Sequence, residues 1–506
     1  MWSKLQERTV LVWFYCLLYL CLVDSKQEHP GLVVQLENSG IAFLKNLTID
    51  VLNEKLKGKE LPNTNGATSS NPSDPNAPDV RYFLTNVKMV SFHASTSEAT
   101  IVTSPAKDIK IQISGVKAVV EADYHIQLGW FPIGKDGRVE ATATDINLDA
   151  AIALYSKQDH LQLTNHEFNF KIGSLALVFH GGLIDTILNM IQGVFDGDIR
   201  NAIENATISE KTEIEDTVND ILMNVSTTIV AKNGFGLDIG LFNSPLINSD
   251  SVKIAVKGEV FRGSSYSAPP APEPMQLPQK GDHMIDAEFT DFILTSAFKA
   301  AFDSNFLYGT MTQDAVEAAA PGYGQYFNTS CDTICIGTLI GPIGKTYPNQ
   351  AVDVESRVTE LPKAFIDEAG VHAFVKADMK ILLPVNDTMK LELVKFSVQV
   401  QLNVKKLSVE TKPNENAKLH FQLHATNSSL KLDYTSLPDI TEKSLQNLWS
   451  FAISLGLEGL VNQKAKEGFN LPQIPFVEFM KIDFISGPHS LIMQADLKLN
   501  NTISLN

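Results

Sequence analysis

With 506 residues the chain is too long for one hydrophobic core and long enough for two or three. Its formal net charge of -17 argues against nucleic acid as a partner and against broad electrostatic adhesion to anionic lipid. Any binding must therefore be local or apolar.

Residues 1–25 carry Lys4 and Arg8, then the apolar run Val10 to Val23, with Val23 and Ser25 at the spacing a signal peptidase prefers. This reads as a cleaved secretory signal, too short and wrongly flanked for a stable membrane span. Its loss removes Lys4, Arg8, Glu7 and Asp24, so the net charge stays at -17. No later stretch reaches about 18 apolar residues without a charge. The mature chain is expected to be secreted and soluble in an oxidising, extracellular compartment.

In chain order, Ile41, Leu44, Thr48, Val51 and Leu52 fall at helical spacing, with Asn38 and Ser39 as caps. From Gly58 to Asp79 the residues turn to Asn, Pro, Ser, Thr and Asp, which read as a loop. Strands come next. Ile109, Ile111 and Ile113 alternate with Lys110 and Gln112, and Ile146, Leu148, Ala150, Ile152 and Leu154 alternate with polar or small residues. One face of each should be apolar and the other wet.

Between these strands lies GWFPIGKDG, residues 129–137, whose Lys135-Asp136-Gly137 reads as a hairpin turn. Trp130, Phe131 and Ile133 just ahead of it either tuck back onto the core or form an apolar tip that dips into a membrane or lipoprotein surface. Gly182 to Asn205 is a strong helix, with Ile184, Ile187, Leu188, Ile191, Phe195 and Ile199 on one stripe, and a second helical pattern runs through Ile214 to Val225. Val252, Ile254, Val256 and Val260 then alternate with Lys253, Lys257 and Glu259 as a strand.

Five prolines between Pro269 and Pro278 cannot form a helix or an interior strand and read as a stiff, extended spacer. The chain accordingly divides into a signal (1–25), an N-terminal domain (26–263), a Pro-rich linker (264–283) and a C-terminal domain (284–506). Patterning resumes at Met284. Gly337, Gly341 and Gly344 keep the helix between Cys331 and Pro348 short or irregular. Phe396 to Val404 alternate without exception. Asp439 to Lys466 reads as a helix with Leu445, Leu448, Ala452 and Leu455 on one face, and Ile482 to Leu499 as a strand pair turning at Gly487-Pro488. The two halves repeat in element order, with no residue-level repetition apparent.

Cys16 and Cys21 leave with the signal, so Cys331 and Cys335 remain as a disulfide, favoured by the compartment, or as two free thiols. Such a loop is short, which puts its stabilisation at the low end of the usual range. Seven sequons, Asn46, Asn205, Asn224, Asn328, Asn386, Asn427 and Asn500, fit a secreted glycoprotein. Gly344-Lys345-Thr346 lacks the glycine a phosphate loop needs, since Leu339 stands five residues before Gly344. His420 and His424 fall in a strand pattern, on a polar face rather than at a metal. No G-x-S-x-G occurs, and no acid/base pairing can be placed. No enzyme, cofactor or metal is indicated.

Three blocks resemble a known family. HPGLVVQLENSGIAFL is similar to the mature N-terminus of the bactericidal/permeability-increasing, lipopolysaccharide-binding and phospholipid transfer protein family. VKGEVF, the proline run and MIDAEFTDFILTSAF look like its hinge, and NQKAKEGFNLPQI with GPHSLIMQADL like its last helix and strand. The resemblance spans about His29 to Leu499. It implies an α+β fold, an elongated two-domain boomerang in which each half is a twisted antiparallel barrel packed with long amphipathic helices, the halves joined by a central sheet. It also implies a phospholipid or other acyl lipid held in each half, transient contact with membrane or lipoprotein surfaces, and roles in lipid transfer or, alternatively, in lipopolysaccharide binding and innate immunity.

On that resemblance the ligand-facing residues are Ile41, Leu44, Val51, Ile184, Ile187, Leu188 and Ile191, then Leu448, Ala452 and Leu455, with Trp130 and Phe131 as membrane contacts. Two departures stand out. The family's first-domain disulfide has no counterpart, since no cysteine lies near Thr164 or Asn205. The expected basic tips are nearly neutral, with Lys55, Lys57 and Lys59 beside Glu54 and Glu60, and Lys135 and Arg138 beside Asp136.

Overall fold

The computed structural model describes residues 29–69, 79–104, 108–128, 134–181, 185–230, 234–263, 283–318, 320–386, 388–412, 417–470 and 477–499. The expected signal, the proline run and residues 129–133 lie outside these. The described chain forms two compact units, residues 36–225 with 244–253, and residues 29–35 with 226–243 and 254–499. The first is the N-terminal unit and the second the C-terminal unit.

The chain enters through β1 (Leu32–Glu37) and α1 (Asn38–Leu56). The N-terminal unit then runs through β2 (Thr64–Ser69), β3 (Asp79–His93), β4 (Ala99–Thr103), β5 (Ile109–Leu128), β6 (Gly134–Lys157), β7 (His160–Lys171), β8 (Ser174–His180) and α2 (Asp185–Asn224). The sheet is antiparallel in the order β2-β3-β5-β6-β7, with β4 added to β5 and β8 to β6. Where a loop was expected, β2 forms because its backbone pairs with β3, Gly66 opposite Tyr82. Its own side chains supply no apolar pattern; the burial belongs to Val80, Tyr82 and Leu84 on β3.

The two expected helices of this half are one helix of 40 residues. The expected turn at Lys135-Asp136-Gly137 is also displaced: all three residues lie in β6, paired with Ile126, His125 and Tyr124. Glycine is needed at 137 because a Cβ there would strike the Tyr124 hydroxyl and the His180 carbonyl, a close approach within a strand rather than a turn.

The C-terminal unit opens with β9 (Thr228–Val230) and β10 (Phe235–Asp238). A short hairpin, β11 (Leu246–Ile247) with β12 (Ser251–Val256), precedes β13 (Val260–Arg262), so the single strand expected across Val252 to Val260 is two. Next come β14 (Ile285–Thr290), α3 (Asp291–Asp303), β15 (Tyr308–Met311) and three short helices, α4 (Gln313–Glu317), α5 (Ile336–Leu339) and α6 (Gly341–Thr346). They lead into β16 (Asp353–Val358), β17 (Lys363–Asp367) and the long strands β18 (Gly370–Pro384), β19 (Lys390–Glu410) and β20 (Lys418–Thr435).

The last helical region is α7 (Glu442–Ala452), a π-helical stretch Ile453–Leu460, and α8 (Val461–Glu467), before β21 (Phe469–Asn470), β22 (Val477–Gly487) and β23 (Ser490–Leu499). One sheet takes the order β15-β16-β18-β19-β20-β21 with β17 on β18; in another, β1, β14, β23 and β22 are neighbours. As expected, the final pair turns at Gly487-Pro488, with Gly487 opposite Ser490.

Both long sheets, and β22 in the sheet beside β23, bend by the same device. Asn86, Asp145, Lys406, Asn427 and Lys481 hold positive φ near 50° inside strands. Each lies where the pairing register slips. An extra residue with left-handed backbone bends a strand and tightens its twist. It also keeps the apolar set on one face: burial in β3 alternates, slips at Asn86 and resumes with Val87 and Met89 inside. A straight strand of 20 or more residues would leave the core; bulged ones wrap it.

Candidate functional site

In each unit a helix lies over the apolar face of a curled sheet. In the N-terminal unit, Ile49 and Leu56 of α1 and Phe195, Ile199 and Ile203 of α2 are buried with Val80, Leu84, Ala118, Val139 and Ile146 of the sheet. Phe195 nests among aromatic rings, 5.0 Å from Tyr82 and 5.5 Å from Phe179 between centroids. The Tyr82 hydroxyl donates to Asp198. Burial, and then that carboxylate, hold the Tyr82 pKa well above the usual phenol range. This part of the helix stripe is a filled core.

The expected ligand residues divide between the two units. Ile41 is buried on the first turn of α1. Leu44 and Val51 lie further along α1, and Ile187, Leu188 and Ile191 at the start of α2. The surroundings of those five side chains, and Ile184, Trp130 and Phe131 altogether, fall outside the described residues. Leu448 is half-buried with Trp449 against the C-terminal unit's core, Leu455 is half-buried in the π-helical stretch, and Ala452 is exposed.

Sequence reasoning missed the polar fastening of helix to sheet. Asn219 of α2 grips the backbone of Leu163 on the edge strand β7, accepting from its N–H at 2.9 Å and donating to its carbonyl at 2.8 Å. One turn earlier, Glu215 accepts from the Asn165 N–H at 3.1 Å. His160 Nδ1 donates to the Leu222 carbonyl at 3.2 Å.

The C-terminal unit repeats the set. Asn462 of α8 accepts from the Leu423 N–H at 2.6 Å and donates to its carbonyl at 2.9 Å, Glu458 accepts from the Ala425 N–H at 2.8 Å, and His420 Nδ1 donates to the Lys466 carbonyl at 3.2 Å. A strand at a sheet edge exposes unpaired backbone groups. Here a helix supplies the missing partners with side chains. On α1, Asn53 grips Ala94 in the same way, at 2.7 and 2.9 Å.

The repeat is written in residues. His160, Gln162 and Leu163 match His420, Gln422 and Leu423; Glu215, Val218 and Asn219 match Glu458, Val461 and Asn462. The expectation of repetition in element order alone is thereby corrected. Of the two histidines read onto the polar face of this strand, His424 is exposed there, its Nδ1 2.9 Å from Glu458, whereas His420 is half-buried and tied to the Lys466 carbonyl.

Near residues 129–133 the charges are paired, Arg138 with Glu121 and His125 with Asp136 at 2.5 Å. In the C-terminal unit the buried Glu259 has no hydrogen-bond partner for Oε1 among the described residues. Burial, helped by Asp238, pushes its pKa up to about 7. Cys331 and Cys335 form a disulfide with Cα atoms 6.2 Å apart. Asn46, Asn205, Asn224, Asn386 and Asn427 are exposed, Asn328 is half-buried, and Asn500 lies outside the described residues. Among the described residues no three His, Cys, Asp or Glu side chains converge as metal ligands, and no helix is long and apolar enough to cross a membrane.

Residues 229–499 match the model of the LBP / BPI / CETP family, C-terminal domain. The chain is 21% identical over 323 residues to a bactericidal permeability-increasing protein of Sebastes schlegelii, an alignment covering 63% of this chain and 65% of that one. It is 19% identical over 455 residues to a lipopolysaccharide-binding protein of Bos taurus, covering 88% of each. Among solved structures, a lipopolysaccharide binding protein superposes with a TM-score of 0.56 at 16% identity, over 94% of this chain and all of that one. That likeness is one of fold.

Proposed function

Because this chain belongs to the LBP/BPI/CETP family, we propose that it is a secreted, non-catalytic protein that binds phospholipid by its acyl chains and transfers it between surfaces. The observation that carries this reading is the clamp shared by the two units. In each, a helix is fastened by polar side chains to the edge of a one-faced sheet, which encloses apolar surface without adding strands.

A phospholipid with two chains has roughly 30 methylenes, each worth about 0.8 kcal/mol when removed from water. Enclosure by protein offsets that cost during passage between membranes. The residues assigned to the lipid are Ile41, Leu44, Val51, Ile184, Ile187, Leu188 and Ile191, with Leu448 and Leu455 in the C-terminal unit and Ala452 at its exposed rim. Trp130 and Phe131 are assigned to the membrane.

Lipopolysaccharide is the second reading, favoured by relatives named as lipopolysaccharide-binding proteins. The pairing of Arg138 with Glu121 favours the first, since each free basic residue near an anionic surface contributes only about 1 kcal/mol and this one is neutralised. The test is movement of a fluorescent phosphatidylcholine between neutral vesicles. Transfer that rises with protein concentration, and falls in Trp130→Ala with Phe131→Ala, supports the proposal. Salt-sensitive binding to lipid A with no phospholipid transfer would replace it with the second reading.

A further inference from the structure

Helix α7 sets Trp449 between two bodies of apolar side chains in the C-terminal unit. The inward residues of β19 divide between them: Phe396 and Val398 are buried in one cluster, Val400 and Leu402 in another. The division falls at the level where β20 carries its bulge, since Gln399 pairs with Ser429, Gln401 pairs with Thr426, and Asn427 between them has positive φ. Among the described residues, Trp449 is the one side chain packed against both clusters. It bridges a seam in the interior.

The indole as a whole is half-buried, but its Nε1 is buried, and none of the described residues accepts a hydrogen bond from it. A buried tryptophan N–H ordinarily finds an acceptor, because without one it keeps the full cost of leaving water. Packing alone does not call for that donor. The clamped helix of the N-terminal unit shows the alternative: its aromatic anchor is Phe195, fully buried within a single cluster and carrying no polar atom. Tryptophan at 449 thus adds a donor where a ring would have sufficed.

The surroundings decide which acceptor suits it. The clusters on either side are aliphatic and aromatic, so a carboxylate or phosphate brought there would be an unpaired buried charge. A neutral oxygen carries no such cost. An ester-linked acyl chain has one at the head of its hydrocarbon run, the carbonyl, and an ether-linked chain lacks it. Leu448, assigned to the lipid above, is the chain neighbour of Trp449 and packs on the first of the two clusters.

We propose that Trp449 is a specificity-determining residue, whose indole N–H donates to the ester carbonyl of an acyl lipid lying along this seam. The bond selects ester-linked chains over ether-linked ones and fixes how far a chain enters the C-terminal unit. This inference rests on the lipid-carrier proposal and adds the linkage chemistry to it.

The experiment is a competition, on the full chain at saturating lipid, between a phosphatidylcholine with two ester-linked chains and its diether analogue of equal chain length. Bound lipids are counted by native mass spectrometry for the wild type and for Trp449→Phe, which keeps an aromatic ring and removes the donor. At one site the wild type should prefer the ester form about tenfold, the worth of one hydrogen bond. In Trp449→Phe that preference should fall to near unity while the total lipid carried stays close to wild type.

Equal uptake of the two lipids by the wild type would overturn the assignment, and that arm needs no variant. An ester preference that survives Trp449→Phe would overturn it as well. So would a variant that keeps the wild-type thermal transitions yet loses both lipids alike, because Trp449 would then act by packing. All three results leave lipid carriage by the wild type standing. Absence of either lipid from the wild type would instead bring down the carrier reading, and the ester assignment with it.

Discussion

The two clamped helices use one set of polar contacts on two different backbones. In the N-terminal unit the Glu–Asn pair sits on a continuous α-helix anchored by Phe195 in an aromatic nest. In the C-terminal unit it straddles the junction between a π-helical stretch and α8, and the apolar anchors, Leu445 and Trp449, lie upstream. The apolar packing has been re-solved in each unit while the hydrogen bonds to the edge strand are the same. What the units share is therefore the closure of a sheet edge, more than a way of filling a core.

Removing the apolar anchors should separate the units most. Phe195→Ala is expected to cost about 3–5 kcal/mol. It should act on the N-terminal unit's thermal transition alone, with Leu445→Ala doing the same for the C-terminal unit at about 2–5 kcal/mol. Calorimetry showing that each variant shifts both transitions equally would mean the units do not melt independently.

Dependence on pH should mark the C-terminal unit. Because the Glu259 pKa is raised from 4.5 to about 7 in the folded protein, the native state binds its proton more tightly than the unfolded chain. Its contribution is fully present below about pH 4.5 and is lost as the pH rises through about 7, up to roughly 3 kcal/mol. Glu259→Gln should flatten the pH profile of the C-terminal transition, and an unchanged slope would remove Glu259 as its source.

Reduction should act on the same unit with a smaller effect. Opening the Cys331–Cys335 loop should lower its stability by about 2 kcal/mol, the low end for so short a loop. The clamps themselves give the smallest effect. Asn219→Ala and Asn462→Ala each remove two hydrogen bonds to an edge strand and should cost about 1–2 kcal/mol apiece. The two costs should be similar, and a neutral result in one unit would show that its edge is satisfied by water instead.

Much of the fold was legible. Alternation in Ile109–Ile113 and Phe396–Val404 identified strands because one face of each curled sheet is apolar and the other wet. Their full lengths were hidden, because left-handed residues such as Asn86 and Lys406 shift the alternation by one and make a continuous strand look like two. The turn at residues 135–137 was misplaced because Asp-Gly is a hairpin signal, whereas Gly137 is required by Tyr124 crossing its neighbour strand.

The clamp repeat stayed invisible for another physical reason. Its strand and helix halves are separated by 56 residues in one unit and 39 in the other, so no fixed period aligns them. Aligning helix with helix and strand with strand separately would have shown it. The candidate site was legible only as apolar stripes, and a stripe reads the same whether it meets another side chain or a lipid. Phe195 and Ile199 prove to meet side chains.

The most direct test of lipid carriage is native mass spectrometry of the full chain purified from the cells that express it, with organic extraction of whatever accompanies it. The expected result is a mass excess that disappears on extraction and is recovered as phospholipid. A protein that flies at the mass of its polypeptide and covalent modifications alone, and takes up no acyl lipid when incubated with vesicles, would contradict it.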